Sequence, residues 1–375
     1  MRKTGEYKLS GSIKHFVPDP LPPQQPPFTM TPEITALYGE VMLILGKLNE
    51  IARKLPDVHR FIKAYVIKEA LLSSAIEGIH TTLLEVFTQP LLDTKPNKET
   101  QLVMNYTKAL DVSLEMIKNQ NMPISSRVLL QAHLALMQEG ENDKADPGNY
   151  RKQGVRVGQL IPPPAQDITQ LMSDLETYIN TDTTLPPLIN AGLAHVQFET
   201  IHPFLDGNGR IGRLLIILML IEQNLLIEPI LYPSYYFKKY QAEYYRQLDR
   251  VRIEGDFEGW IRFYLTVMKS SGLDAYQRAQ DIEALSLALQ QQLTNTTDSS
   301  RKAEGALRAL TILFATPIIN IKELSIQLGT SYNTANRVVT EFLELGILIE
   351  LSEQKRGKLF KFKPYFDILE KEYSL

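Results

Sequence analysis

HPFLDGNGRIGR, residues His202 to Arg213, runs without a break into LLIILMLI, Leu214 to Ile221. The first stretch packs an imidazole, a carboxylate, a carboxamide, three glycines and two arginines into twelve residues, and the eight that follow carry no polar side chain. The apolar run reads as a helix, and Asp206-Gly207-Asn208-Gly209 as the turn that opens it. Glycines and Asn tolerate positive φ, so successive amide N–H groups can converge into an anion-holding nest. The helix N-terminus adds unpaired N–H groups and the positive end of its dipole, and together they describe a seat for phosphate.

The remaining residues extend that chemistry. Arg210 and Arg213 are three apart, on one face of the first turn, and can fork onto further phosphate oxygens. Asp206 supplies a hard oxygen ligand of the kind a phosphate-bridging Mg2+ takes, and His202 is the nearby group able to accept a proton near neutral pH. Base, metal ligand, nest and cationic clamp suit phosphoryl or nucleotidyl transfer to a hydroxyl, which asks a protein for positioning and charge neutralisation. Taken alone, DGNG is a common turn signal. A calcium loop is disfavoured because Arg210 stands at a ligand position and no Glu completes the twelve-residue pattern.

Outward from this stretch the chain is helical. Apolar periodicity marks helices over Pro32–Leu55, Asp57–Ile76, Lys98–Lys118, Ser125–Gly140, Asp167–Asn180, Pro187–Phe198 and Ile211–Leu225. A proline-rich arm, Pro18 to Pro27, precedes them. QGVRVGQLI, Gln153 to Ile161, reads as a short hairpin stopped by Pro162-Pro163-Pro164. The polar run QQQLTNTTDSS, Gln290 to Ser300, reads as a domain boundary. Beyond it, helices over Ala303–Ala315, Ile321–Leu328 and Asn333–Leu345, then strands over Ile347–Leu351 and Leu359–Phe362 around SEQKRGK, outline a winged helix-turn-helix. The expected organisation is an N-terminal arm and helical region over 1–95, a catalytic core over 96–289 and the winged unit over 301–375.

Composition sets the outer bounds. At 375 residues the chain exceeds one ordinary core. Apolar residues at 44%, charged residues at 22% and a net charge of -3 fit a globular chain with no global bias toward nucleic acid or membrane. The absence of cysteine excludes disulfides, thiolate zinc sites and cysteine nucleophiles. Neither a secretory signal nor a run of the roughly 20 apolar residues needed to span a bilayer is evident, so a cytoplasmic protein without membrane contact is expected. Residues 301–375 hold seven Lys and four Arg against one Asp and eight Glu, a net of +2. Lys355, Arg356, Lys358, Lys361 and Lys363 crowd the wing while Asn333, Asn336 and Arg337 lie on the second helix, a pattern that suits either DNA or a docked protein.

The run at 202–213 resembles the signature of the Fic (filamentation induced by cAMP) family, HxFx[D/E]GNGRxxR, at every fixed position: His202, Phe204, Asp206, Gly207, Asn208, Gly209, Arg210 and Arg213. The resemblance implies a Fic-type helical bundle with a small β-hairpin flap and protein adenylylation, the transfer of AMP from ATP to a Tyr, Thr or Ser hydroxyl of a protein with release of pyrophosphate. It implies His202 as base, Asp206 on Mg2+, the Gly207–Gly209 amides with Asn208 on the α- and β-phosphates, and Arg210 and Arg213 on the β- and γ-phosphates. PGNYRKQGVRVGQLIPPP, Pro147 to Pro164, is similar to the family's flap and carries Val157, Gly158, Gln159 and Leu160 to the nucleotide site. Tyr244 matches a position that stacks near adenine. SSAIEG, Ser73 to Gly78, resembles the inhibitory motif [S/T]xxxE[G/N] through Ser73, Glu77 and Gly78. Its glutamate is implied to pair with Arg213 and slow the enzyme in cis. The partners implied are target proteins, the chain itself included, and the resemblance allows a homodimer. Two other readings stay open: transfer of a different phosphoryl or nucleotidyl moiety, and a DNA-binding regulator whose Fic-like core senses nucleotide.

Overall fold

The computed structural model describes residues 2–54, 58–138, 146–181, 184–296, 300–351 and 357–373. The chain opens on an antiparallel hairpin, β1 (Gly5–Ser10) and β2 (Ile13–Pro18). Eleven α-helices follow among the described residues: α1 (Pro32–Lys54), α2 (Val58–Ile76), α3 (Leu83–Thr88), α4 (Lys98–Leu114), α5 (Ser126–Leu136), α6 (Ile168–Thr181), α7 (Pro187–Ile201), α8 (Asn208–Glu222), α9 (Ser234–Lys239), α10 (Gln241–Glu254) and α11 (Phe257–Thr296). The last part of the chain adds α12 (Ser300–Ala315), β3 (Ile318–Ile319), α13 (Ile321–Leu328), α14 (Tyr332–Glu344), β4 (Leu348–Glu350), β5 (Phe360–Phe362) and α15 (Lys363–Glu370). Its three strands form an antiparallel sheet in the order β3-β5-β4.

α7 and α8 are the axis of the bundle. Every residue of α7 from Leu188 to Ile201 is buried, as is every residue of α8 from Ile211 to Ile221, the pattern of a helix enclosed on all sides rather than one with a single apolar stripe. The two pack on each other, with α2, α4 and α5 against α8 and with α6, α10 and α11 against α7. Close approach has a sequence cause at Gly192. A Cβ there would lie 2.8 Å from Ile261 Cδ1 and from Tyr264 Cδ1, so α7 and α11 meet through a bare backbone. Among the described residues no helix is long and apolar enough to cross a membrane.

Two expectations need correction. No strand spans Gln153–Ile161; a single bridge joins Val157 and Leu160 around Gly158-Gln159, with Gly158 at φ +57°. The pairing stops there because the Ile161 carbonyl accepts from Phe16 N–H at 2.9 Å, so this limb joins β2, and the prolines after it have no N–H to give. The polar run from Gln290 is helical as far as Thr296: α11 is 40 residues long, and Leu289 and Leu293, one turn apart, are both buried. The hairpin β1–β2 and the helix α15 were not anticipated. Lys355 and Arg356 lie outside the described residues, as do 139–145, so the helix expected to reach Gly140 is described to Leu136.

Candidate functional site

The site is a corner between two buried helices. α7 ends at Ile201, and His202 turns the chain in the left-handed region, φ 51° and ψ 62°, with its N–H donated to Phe198 O at 2.9 Å. Gly207, φ 76°, then opens α8. Asn208 clips the connecting loop: its Oδ1 accepts from Phe204 N–H at 2.8 Å and its Nδ2 donates to Phe204 O at 2.9 Å. Its carboxamide thus holds the loop's shape, while its main-chain N–H and the second Nδ2 hydrogen remain for the seat proposed from the sequence.

Two residues that the sequence did not single out fasten this corner. Arg151, buried, donates to His202 O at 2.8 Å, Gln153 O at 3.0 Å, Pro163 O at 2.6 Å and Ile201 O at 3.4 Å. One guanidinium thus ties both limbs of the flap to the last carbonyls of α7, which have no partner inside their own helix. His133 on α5 stacks on Phe204, ring centroids 3.8 Å apart, takes Gly148 N–H on Nδ1 at 3.0 Å and gives its Nε2 proton to Asp206 O at 3.1 Å. Burial lowers its pKa to about 4, so it serves as a neutral strut. Nothing local in the sequence distinguishes either residue, since their partners lie up to 73 positions away.

The chemically active groups follow. His202 is partly buried, and desolvation, then the cations Arg252 and Arg151, lower its pKa to about 4, leaving a neutral imidazole able to accept a proton. The Asp206 side chain is 54% exposed; its Oδ1 accepts from Gly207 N–H at 2.6 Å and stands 3.6 Å from Arg210 Nη2. Arg210 and Arg213 are both buried, at 2% and 1% exposure. Arg213 donates from Nε to Ser73 Oγ at 2.9 Å, and from Nη2 to Ser73 O at 2.9 Å and to Glu77 Oε1 at 2.7 Å. Burial, the largest single influence, would lower its pKa, but Glu77, Tyr244 and Glu199 together outweigh it and move the group upward.

Glu77 follows the end of α2, ahead of Gly78 at φ +80°. Its carboxylate lies over the first turn of α8: a Cβ on Gly209 would sit 2.2 Å from Glu77 Oε1. Glycine at 209 is what lets the acid approach the helix N-terminus. Gln241 Nε2 caps the end of α2 at Ile76 O, 3.0 Å away.

Tyr244, the position implied to stack near adenine, is a buried residue behind the site. It is 1% exposed, packed on Phe237 with centroids 4.7 Å apart, and its hydroxyl donates to His195 Nε2 at 2.8 Å while His195 Nδ1 donates to Gly212 O at 2.8 Å. It backs the site from the core, whereas Tyr240 and Tyr245 are exposed on the outer side. Glu199, also unforeseen, is buried beside Gly212, with Oε1 2.3 Å from where a Cβ would stand, and burial raises its pKa to about 7. Val157 and Leu160 are partly exposed and Gly158 and Gln159 exposed. Asn333, Asn336 and Arg337 are exposed on α14, and Lys358 pairs with Glu350 Oε2 at 2.9 Å.

Comparison with known proteins places this geometry. Residues 123–220 match the Fic/DOC family and residues 37–115 its N-terminal region. The protein adenylyltransferase Fic of Drosophila erecta is 31% identical over 211 residues, 54% of this chain and 40% of that protein. The chain spans about two fifths of the length of the curated relatives it matches. A Fic family protein from Desulfovibrio desulfuricans G20 superposes with a TM-score of 0.56 at 25% identity, covering 90% of this chain and 98% of its own. A Fic domain containing signalling protein from Bacteroides thetaiotaomicron shares the fold, with a TM-score of 0.51 at 18% identity over 66% of this chain and 97% of that one. The corner of His202, Asp206, Arg210 and Arg213 lies inside the region that matches the Fic/DOC family, and residues 37–115 match that family's N-terminal region.

Proposed function

We propose that this chain is a protein adenylyltransferase that moves AMP from ATP to a Tyr, Thr or Ser hydroxyl of a protein, itself included, and that Glu77 restrains it. One observation carries the reading: a neutral imidazole stands at the entrance to a helix whose first two turns hold two buried arginines, one of them already gripping a carboxylate. His202 accepts the hydroxyl proton as the oxygen bonds to the α-phosphorus, and the bond from that phosphorus to the bridging oxygen breaks to release pyrophosphate. The main-chain amides at 207–209, Arg210 and Arg213 meet the charge that builds on the phosphate oxygens. Val157 to Leu160 lie beside the segment that presents the hydroxyl, held at a fixed distance from His202 by Arg151.

The donors fit Mg2+. No cluster of three or more His, Cys, Asp or Glu occurs among the described residues, yet Asp206 offers one exposed carboxylate, which suits an ion that takes its other ligands from water and phosphate. When bound, Mg2+ would neutralise phosphate charge. Asp206 Oδ1 and Oδ2 are the atoms that would hold it.

Glu77 places a carboxylate where the terminal phosphate needs Arg213, so the nucleotide sits out of line for attack. Incubation with α-labelled ATP and Mg2+ tests the whole reading. Glu77→Gly raises the label transferred to protein by about 10-fold or more, and His202→Ala removes transfer, a loss of at least about 100-fold for a general base. Unchanged labelling in Glu77→Gly would contradict the restraint, and label persisting without His202 would contradict the mechanism.

We read the last part of the chain as a winged helix whose α14 faces duplex DNA. Along it Tyr332, Asn333, Asn336, Arg337 and Thr340 are exposed, with Glu341 half-buried and Glu344 exposed only in its last turn. Steep loss of duplex affinity with salt, abolished by Arg337→Ala, supports this; salt-independent binding to a protein instead would overturn it.

A further inference from the structure

The turn that carries Glu77 is held on both sides by the C-terminal part of the chain. Upstream, Lys68 of α2 donates to Leu369 O of α15 at 3.1 Å, and α12 packs along α2. Downstream, Phe87 of α3 meets Phe366 of α15 edge to face, centroids 5.8 Å apart, and α3 also touches β3. α15 itself ends on cations. Arg278 of α11 donates to Ile368 O and to Lys371 O, the latter at 2.9 Å, and is fixed by Asp274 Oδ2 at 3.0 Å. These contacts complete the terminal carbonyls of a helix whose negative dipole end favours positive charge, so the docked position is specific and not a loose apolar contact.

α2 links that docking to the site. Lys68 and Ser73 are five residues apart on one unbroken helix, roughly 7–8 Å along its axis and on different faces. Ser73 and Glu77 hold Arg213, while Glu69, between Lys68 and Ser73, accepts from Ser234 N–H at 3.2 Å and from the Ser234 hydroxyl. A packed helix moves as a unit. The geometry points to a control contact: the C-terminal unit, seated on both limbs of the turn, keeps Glu77 on Arg213, and leaving that seat loosens the carboxylate and frees the arginine for nucleotide. This rests on the proposed adenylyl transfer for its activity arm only.

The test uses the full chain with Lys68→Met and Phe87→Ala together, which removes one donor and one ring and spares the Phe314, Phe362 and Tyr365 cluster inside the C-terminal unit. Phe87→Leu is the milder companion if the pair folds poorly. Amide hydrogen exchange over 73–82 is expected to quicken, and AMP transfer to rise about five-fold or more. In a Glu77→Gly background the same pair is expected to change transfer by less than about two-fold, because the coupled partner is already gone. Unchanged exchange overturns the proposal. So does faster exchange without faster transfer where Glu77→Gly alone raises transfer, or an equal gain in both backgrounds. Should Glu77→Gly itself leave transfer flat, the restraint by Glu77 fails, and exchange alone decides whether the C-terminal unit holds the turn.

Discussion

His202 has its pKa lowered to about 4 by burial and by the cations Arg252 and Arg151, so its imidazole stays unprotonated across the neutral range. The acid limb of the rate is therefore expected near pH 4–5 rather than at the roughly 6.5 of a free histidine, with activity lost as pH falls through that limb. Initial rates of labelled AMP transfer by Glu77→Gly between about pH 4.5 and 8 check this, and a limb centred at 6.5 contradicts it. Glu199 behaves in the opposite sense. Its folded pKa, about 7, lies above that of a free glutamate, so the stability it contributes is full below the unfolded value and is lost as pH rises through 7. Glu199→Gln should accordingly raise Tm at pH 8 by about 2–5 °C and change it little at pH 5. Calorimetry at the two pH values decides.

At the scale of elements, the corner between α7 and α8 was legible because its residues are contiguous: one twelve-residue stretch, a loop and the start of α8, carries the base, the carboxylate, the nest and both arginines. What secures that corner was not legible. Arg151, His133 and Glu199 act through main-chain atoms or burial set by distant segments, and each reads in sequence as an ordinary polar residue on a helix or loop. The contact of Ser73 and Glu77 with Arg213 spans 136 positions or more and came from resemblance to a motif, since a Glu before a Gly has no local mark of a partner. The hairpin β1–β2 escaped notice because Tyr7, Leu9 and Ile13 face solvent and blur its alternation. At Gln290 the polar residues masked Leu289 and Leu293, a one-turn pair that keeps α11 on the bundle. α7 offers an element-scale prediction. Gly192→Ala places a methyl 2.8 Å from Ile261 Cδ1, and overpacking of this kind costs about 1–3 kcal/mol, readable as a lower urea midpoint with an unchanged slope.

For the whole molecule, the docking of α15 on α2, α3 and α11 means that the two ends of the chain share one set of contacts. Trp260 is the sole tryptophan and lies buried in the bundle, its Nε1 donating to Gly192 O at 2.8 Å. Its fluorescence reports on the bundle, whereas far-ultraviolet dichroism reports on every helix. The two unfolding curves are expected to coincide in the parent chain and to separate in Lys68→Met with Phe87→Ala, the dichroism beginning to fall first. Coincident curves in both proteins would place the cooperative linkage along α11 instead.

Ser73 gives the arginine a tether that outlasts the acid. Two of the three donations from Arg213 go to Ser73, through its hydroxyl and its carbonyl, and neither involves Glu77. Deleting the carboxylate therefore leaves the guanidinium aimed, with one hand free, whereas pulling the whole helix away sets it adrift. An activator that merely swivels the turn and one that strips α2 from the bundle would yield catalysts of different quality, the first poised and the second slack.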